Sequence, residues 1–266
     1  MDDLFTPDRL RAALGGRPFR FFERVGSTQD IARDWALADP PAPEGAVVIA
    51  EEQTAGRGRQ GRRWIAPPGS ALLFSVIARP ALPPEHLQRA TMAAGLALSD
   101  TLTPLLGAAF ALKWPNDGVI HGRKVCGILS EATWLGDRLA AVVVGIGLNV
   151  RVDFVGTDLA ASATSLEAEL RHAVDRAALL AELLAHLDRW LARAPDPAIV
   201  AAWRARLGTL GERVTVYPVS VQEPRPLFTG VAVDVDEAGA LLVRLETGEV
   251  RRVLAGEVML SGQHTG

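Results

Sequence analysis

Three glycines, Gly56, Gly58 and Gly61, stand in G-x-G-x-x-G spacing directly after the apolar, β-rich run 46–51. After a strand, that spacing marks a dinucleotide-binding fold, in which the glycines open a helix. The next residues rule the helix out, because Trp64-Ile65-Ala66-Pro67-Pro68-Gly69 cannot be a helix interior. The loop also lacks the Gly-Lys-Ser/Thr ending of a Walker loop. Its four cations, Arg57, Arg59, Arg62 and Arg63, exceed what a pyrophosphate on a helix N-terminus needs. The segment therefore reads as strand, cationic glycine loop, strand, the second strand being 71–78. Bare glycine backbone lets amides approach a ligand, and guanidinium forks suit carboxylate or phosphate. A solvated basic loop is the plainer alternative, and an RG-rich nucleic-acid segment would lack the flanking strand and Trp64.

Around this loop the chain alternates helix and strand signals. Residues 8–14 form a short amphipathic helix ended by Gly15-Gly16, and 21–25 a strand. Ser27 caps a helix running to about Ala38, with Asp30 in capping-box position. Residues 87–103 have helical periodicity and should stop before Pro104. Runs 109–114, 124–134 and 139–150 read as strands, and 175–193 and 199–207 as helices. From Gly211 four short alternating strands, 214–221, 227–235, 240–245 and 249–254, are separated by tight turns. The expected fold is α+β: a mixed β-sheet flanked by helices over 1–208, then a small β-barrel over 209–266.

Composition bounds the function. At 266 residues with 48% hydrophobic and 22% charged residues, the chain can bury a proper core. A net charge of −3 argues against a dedicated nucleic-acid binder. Apolar runs such as 140–144 are too short for a membrane, and the acidic N-terminus lacks a signal peptide's basic region. One cysteine, Cys126, makes no internal disulfide and fits a reducing compartment, so the cytoplasm is the expected location. Of the 28 lysines and arginines, only Lys113 and Lys124 are lysines. Asn116 and Asn149 are the sole asparagines. G+C-rich coding explains the scarcity but not the placement of three of the four within 113–124.

In that stretch, Pro115 ends the strand carrying Lys113, and Asn116-Asp117-Gly118 reads as a tight turn. A hairpin would then bring Lys124 near Lys113, an arrangement that is repulsive unless an anion lies between them. A plain hairpin with exposed lysines is the alternative. Trp114 and Cys126 read as core. Gly145-Ile146-Gly147-Leu148-Asn149 closes the next strand, its glycines marking either a bulge or the close approach of a ligand.

Ser27-Thr28-Gln29, Gly56 to Arg62, Lys113 to Asp117, Arg123 to Leu129 and Gly145 to Asn149 follow one another in the order of known motifs. Together they resemble the bacterial biotin–protein ligase (biotin–[acetyl-CoA-carboxylase] ligase) family, in which class II synthetase-like sheets carry a C-terminal SH3-like β-barrel. Gln29 departs from the commoner asparagine and Cys126 from a small residue. Only about 25 residues precede Ser27, so the resemblance implies the short form without a DNA-binding domain, and no DNA partner.

The resemblance implies an enzyme that activates biotin with ATP and Mg2+ to biotinyl-5'-AMP and passes biotin to a lysine of a biotin carboxyl carrier protein. It implies Arg57, Arg59, Lys113 and Lys124 as catalytic. Ser27, Thr28, Gln29, Gln53, Gly56, Gly58 and Gly127, with Arg57, Arg59 and Lys124, would bind biotin. Arg59, Trp64, Lys113, Asn116, Asp117 and Asn149 would bind ATP, with Asp117 a candidate contact for magnesium. A lipoate–protein ligase and a non-catalytic biotin sensor remain alternatives, and dimerisation stays open.

Overall fold

The computed structural model describes residues 4–218, 225–254 and 256–260. Thr6 caps α1 (Pro7–Leu14) by accepting the Arg9 N–H at 3.2 Å, with Pro7 in the first turn where its missing donor costs nothing. After β1 (Phe19–Val25), Ser27 caps α2 (Thr28–Ala36). Asp30 does not complete a capping box. Its carboxylate is taken by Arg33 at 3.2 Å and by Arg57 at 2.8 Å. Strands β2 (Val47–Gln53) and β3 (Ala71–Ala78) flank the glycine loop, as the sequence predicts.

Helix α3 (Gln88–Leu106) does not stop before Pro104 but holds it in its last turn. Only one intrahelical donor is lost there, and the Gly107 N–H closes the helix onto Thr103. With its flanking turns, Pro84–Ala109 is long and apolar enough to match a membrane span by length and composition, contrary to the sequence expectation. In this fold it is the central core helix, buried over most of 89–102 against the sheet and the later helices.

Next come β4 (Phe110–Lys113), β5 (Asp117–Ile120), β6 (Arg123–Leu135) and β7 (Arg138–Asn149). Strand β5 corrects the sequence reading. The tight turn lies at Trp114-Pro115-Asn116, and Asp117 pairs with Lys113 instead of turning the chain. A one-turn helix α4 (Leu166–Leu170), unforeseen, precedes α5 (Arg176–Ala192) and α6 (Ala198–Arg204).

Seven strands form one sheet in the order β1-β2-β3-β7-β6-β5-β4, parallel only between β1 and β2. Alternation along β3 divides its two faces. Leu72, Phe74 and Val76 enter the main core with α3 and α5, while Ala71, Leu73 and Ile77 face the other way with Ser75 among them. On that second face, α2 covers one half of the sheet and the glycine loop covers the other.

The C-terminal unit consists of β8 (Arg213–Tyr217), β9 (Phe228–Val235), β10 (Leu241–Arg244), β11 (Val250–Val253) and β12 (Glu257–Leu260). These make an antiparallel sheet in the order β11-β10-β9-β8-β12. Among the described residues no pairing joins β11 to β12, so the expected closed barrel is a five-stranded sheet here. Residues 219–221, placed in a strand from sequence, lie outside the described residues.

Candidate active site

Strand register assembles the floor of the site. Leu73 pairs with Gly147, Gly147 with Gly127, Gly127 with Asp117 and Asp117 with Lys113, giving one row across five strands. The neighbouring row is Ser75, Gly145 and Leu129. Lys124 lies three residues before Gly127, so regular alternation would send it to the opposite face. Between β5 and β6, however, Gly118 pairs with Cys126 and Val119 with Lys124, which leaves Val125 as an extra residue. This bulge turns Lys124 onto the site face, 3.4 Å from where a Gly127 Cβ would stand.

Above these rows lies a cavity open to solvent, whose empty space including the mouth is about 970 Å³. It gathers Ser27, Thr28, Gln29, Gln53, Arg57 and Gly58 with Arg59, Trp64, Lys113, Asn116, Asp117, Lys124 and Gly127. Two expected residues are not at its wall. Asn149 is buried and donates its amide to the Thr164 carbonyl at 3.1 Å. Gly56 instead closes the loop, since a Cβ there would strike the Trp64 carbonyl while the Trp64 N–H donates to Gly56 at 3.0 Å.

At one end the polar groups are neutral and buried. The Gln53 Oε1 accepts from the Thr28 N–H at 2.7 Å, and the Thr28 and Ser75 hydroxyls are 2.9 Å apart. Ser75 donates to Gln29 Oε1 at 3.0 Å, which leaves the single Thr28 hydroxyl proton two acceptors, the Ser75 hydroxyl and Gln53 Oε1 at 3.1 Å. Gln29, 3% exposed, donates to the Val143 carbonyl at 3.0 Å and the Leu129 carbonyl at 3.3 Å. Its amide is thus committed to the sheet. Gly145 makes room for it, since a Cβ there would lie 2.5 Å from Gln29 Oε1.

The other end is cationic. Asp117 lies 2.8 Å from the Lys124 ammonium, not aligned as a hydrogen bond, and supplies the anion that two neighbouring lysines require. Burial pushes the Lys113 ammonium below its ordinary pKa. Asp117 opposes that shift, and Lys124 and Arg62 add to it. Burial likewise lowers the Arg59 guanidinium, again opposed by Asp117. Arg59 donates to Asn116 Oδ1 at 3.0 Å, and Asn116 is pinned through its Nδ2 to the Ile128 carbonyl at 2.7 Å. Arg57 bridges Asp30 and Glu131 at 2.8 and 2.6 Å. The Cys126 thiol is buried and pushed up to about 12, so it stays protonated and is no nucleophile.

Between the two ends lies Trp64. Its ring rests where Cβ atoms of Gly147 and Gly127 would be, 2.6 and 3.0 Å away, with Lys124 5.6 Å from the ring centroid. These two glycines seat the indole. The indole Nε1 is buried without a hydrogen-bond partner. Sequence reasoning missed Ser75, Gln60, Arg62, Arg63, Gly256 and Val258, which also line the cavity. Ser75 carried a usable signal as the one polar residue in β3. Gly256 and Val258 come from the C-terminal unit and carried none.

The cavity thus combines a cationic wall, a neutral hydrogen-bonding end and a glycine-seated indole on one mixed sheet, the outline of an enzyme site. Residues 21–149 match the biotin/lipoate A/B protein ligase family and residues 209–261 the biotin protein ligase C-terminal domain. The biotin--[acetyl-CoA-carboxylase] ligase of Mycobacterium tuberculosis is 36% identical over 270 residues, covering 97% of this chain and 95% of the relative. That of Paracoccus denitrificans is 36% identical over 237 residues, covering 85% and 95%. The biotin protein ligase from Aquifex aeolicus in complex with biotin and ATP superposes with a TM-score of 0.73 at 27% identity, covering 91% of this chain and 98% of that one. The chain belongs to the biotin/lipoate A/B protein ligase family.

Proposed function

We propose that this protein is an ATP-dependent biotin–[biotin carboxyl carrier protein] ligase. The observation that carries this reading is the shared cavity, in which Arg59, Lys113 and Lys124 face the same space as the neutral Ser27, Thr28 and Gln53. In the first step a biotin carboxylate oxygen bonds to the α-phosphorus of ATP, and the bond to pyrophosphate breaks. Two anions meet, and Arg57, Arg59 and Lys124 offset their repulsion. Lys113, Asn116 and Asp117 hold the nucleotide side, and Trp64 offers a stacking face. Among the described residues Asp117 is the one carboxylate lining the cavity, which fits magnesium brought in on the triphosphate rather than held in a protein cage. The metal would supply charge neutralisation for the departing pyrophosphate. In the second step a neutral carrier lysine attacks the acyl carbon, AMP leaves, and the amine's proton is lost as the amide forms.

The neutral end favours biotin over lipoate. A ureido ring offers Ser27, Thr28 and Gln53 hydrogen-bonding partners that a dithiolane lacks. Gln29 braces the sheet behind them. We extend the reading to a catalytic unit over 1–208 and an SH3-like unit over 209–266, supported by five short antiparallel strands. The buried, protonated Cys126 suits the cytoplasm. The test supplies ATP, magnesium and a biotin carboxyl carrier protein with either biotin or lipoate. Streptavidin-reactive carrier with biotin and none modified with lipoate is the expected result. Lipoylation alone would assign the rival activity.

A further inference from the structure

The turn carrying Lys113, Asn116 and Asp117 is not held by its own sheet alone. Trp114, 2% exposed, is the first residue of the turn, next to Lys113, and both of its N–H groups are satisfied from beyond residue 208. Its backbone N–H donates to the hydroxyl of Thr209 at 2.9 Å, and Thr209 is fully buried. Its indole Nε1 donates to the Gly239 carbonyl at 2.9 Å. Gly239 belongs to the turn between β9 and β10, where Asp236 accepts from the Ala238 and Ala240 N–H groups at 2.9 Å each. With φ +79° and no space for a Cβ beside Met92, this turn is seated against α3 and Trp203.

The contacts run onward into the site. Asn116, two residues after Trp114, exchanges hydrogen bonds with Ile128 and holds Arg59 of the glycine loop at 3.0 Å. Hydrogen bonds at Trp114 and at Asn116, joined by the backbone through Pro115, therefore link the C-terminal unit to the cationic wall, while the Thr28–Ser75–Gln29 group shares none of these members.

We propose that Thr209 and Trp114 are positioning residues: they fix the Lys113–Asp117 turn from the C-terminal unit and so set affinity for the nucleotide, not for the acid. This rests on the ligase reading, so the test separates the two. Thr209→Val keeps shape and removes the acceptor, Thr209→Ser restores it, and Trp114→Phe keeps an aromatic ring without its N–H. Each variant and the parent are titrated with α,β-methylene-ATP plus magnesium and, separately, with biotin. Parent exchange of pyrophosphate into ATP is followed alongside.

Thr209→Val should bind the ATP analogue about tenfold more weakly, the equivalent of one buried N–H left without its partner. Its biotin affinity should stay within about twofold. Thr209→Ser should match the parent, and Trp114→Phe should share the nucleotide defect if it folds. Equal weakening for both ligands, no change in Thr209→Val, or a Thr209→Ser as impaired as Thr209→Val would overturn the proposal. Absence of biotin-dependent exchange in the parent would strike the ligase reading alone, because the titrations decide the positioning role without turnover.

Discussion

Where Thr28, Gln29, Gln53 and Ser75 meet, the cavity wall is neutral, buried and hydrogen-bonded to itself and to strand carbonyls. Where Arg57, Arg59, Lys113 and Lys124 meet, it is cationic and partly exposed, held by ion pairs and one asparagine. The first region is shaped by the sheet and by α2, so its donors and acceptors are fixed before a ligand arrives. The second hangs on a loop and a turn, with Arg59, Lys113 and Lys124 set around the carboxylate of Asp117 while Arg57 pairs with Asp30 and Glu131. The contrast teaches that the two ends are suited to different chemistries: shape and hydrogen bonds for a neutral ring, and charge for a carboxylate meeting a triphosphate.

Substitutions that strike one end should spare the other. Lys124→Met removes a cation at the meeting point and should slow biotin-dependent exchange on the order of 10²–10³-fold, with biotin affinity reduced far less. Arg59→Gly breaks the contact with Asn116 that pins the loop. Release of activated biotin into solution should rise about tenfold, the equivalent of one charge-assisted hydrogen bond, as read by chromatography of single-turnover mixtures. Unchanged release would show that the Arg59–Asn116 contact does not help retain the intermediate.

At the neutral end, Gly145→Ala places a methyl against Gln29 Oε1 and should weaken biotin binding several-fold, roughly the effect of displacing one buried hydrogen bond, without touching the ATP analogue. Equal loss for both ligands would show that the ends are not independent. Lys113 provides a pH handle. Because its ammonium titrates below the ordinary lysine range, nucleotide affinity should fall on the alkaline side earlier than for a normal lysine. Lys113→Arg should carry that fall to higher pH, since guanidinium stays charged. Cys126→Ser should alter exchange by less than about twofold, as expected for a buried, protonated thiol outside the chemistry.

Much of this was legible in the sequence, and the exceptions have physical causes. Strand–loop–strand around Gly56 and the order of motifs placed the sheet, because proline, glycine and apolar alternation act locally. Strand β5 was missed because Asn116-Asp117-Gly118 carries a turn signal that Trp114-Pro115 had already discharged. The reach of Lys124 depends on a bulge at Val125, which only cross-strand register reveals. Gly147, which reads as a bulge or as the close approach of a ligand, and Gly127, which reads as biotin-binding, both seat the indole of Trp64. Gln29 and Asn149 look like ligand-binding amides in sequence, but the fold spends their donors on carbonyls of Leu129, Val143 and Thr164. Gly256 and Val258 arrive from the C-terminal sheet, and no local pattern announces a contact of that range.

Labelled pyrophosphate exchange into ATP, measured with and without biotin, tests the central claim most directly. Exchange that requires biotin, is unsupported by lipoate and collapses in Lys124→Met is the predicted result. Exchange independent of any acid, or none with biotin and magnesium present, would contradict a cavity in which the two anions react.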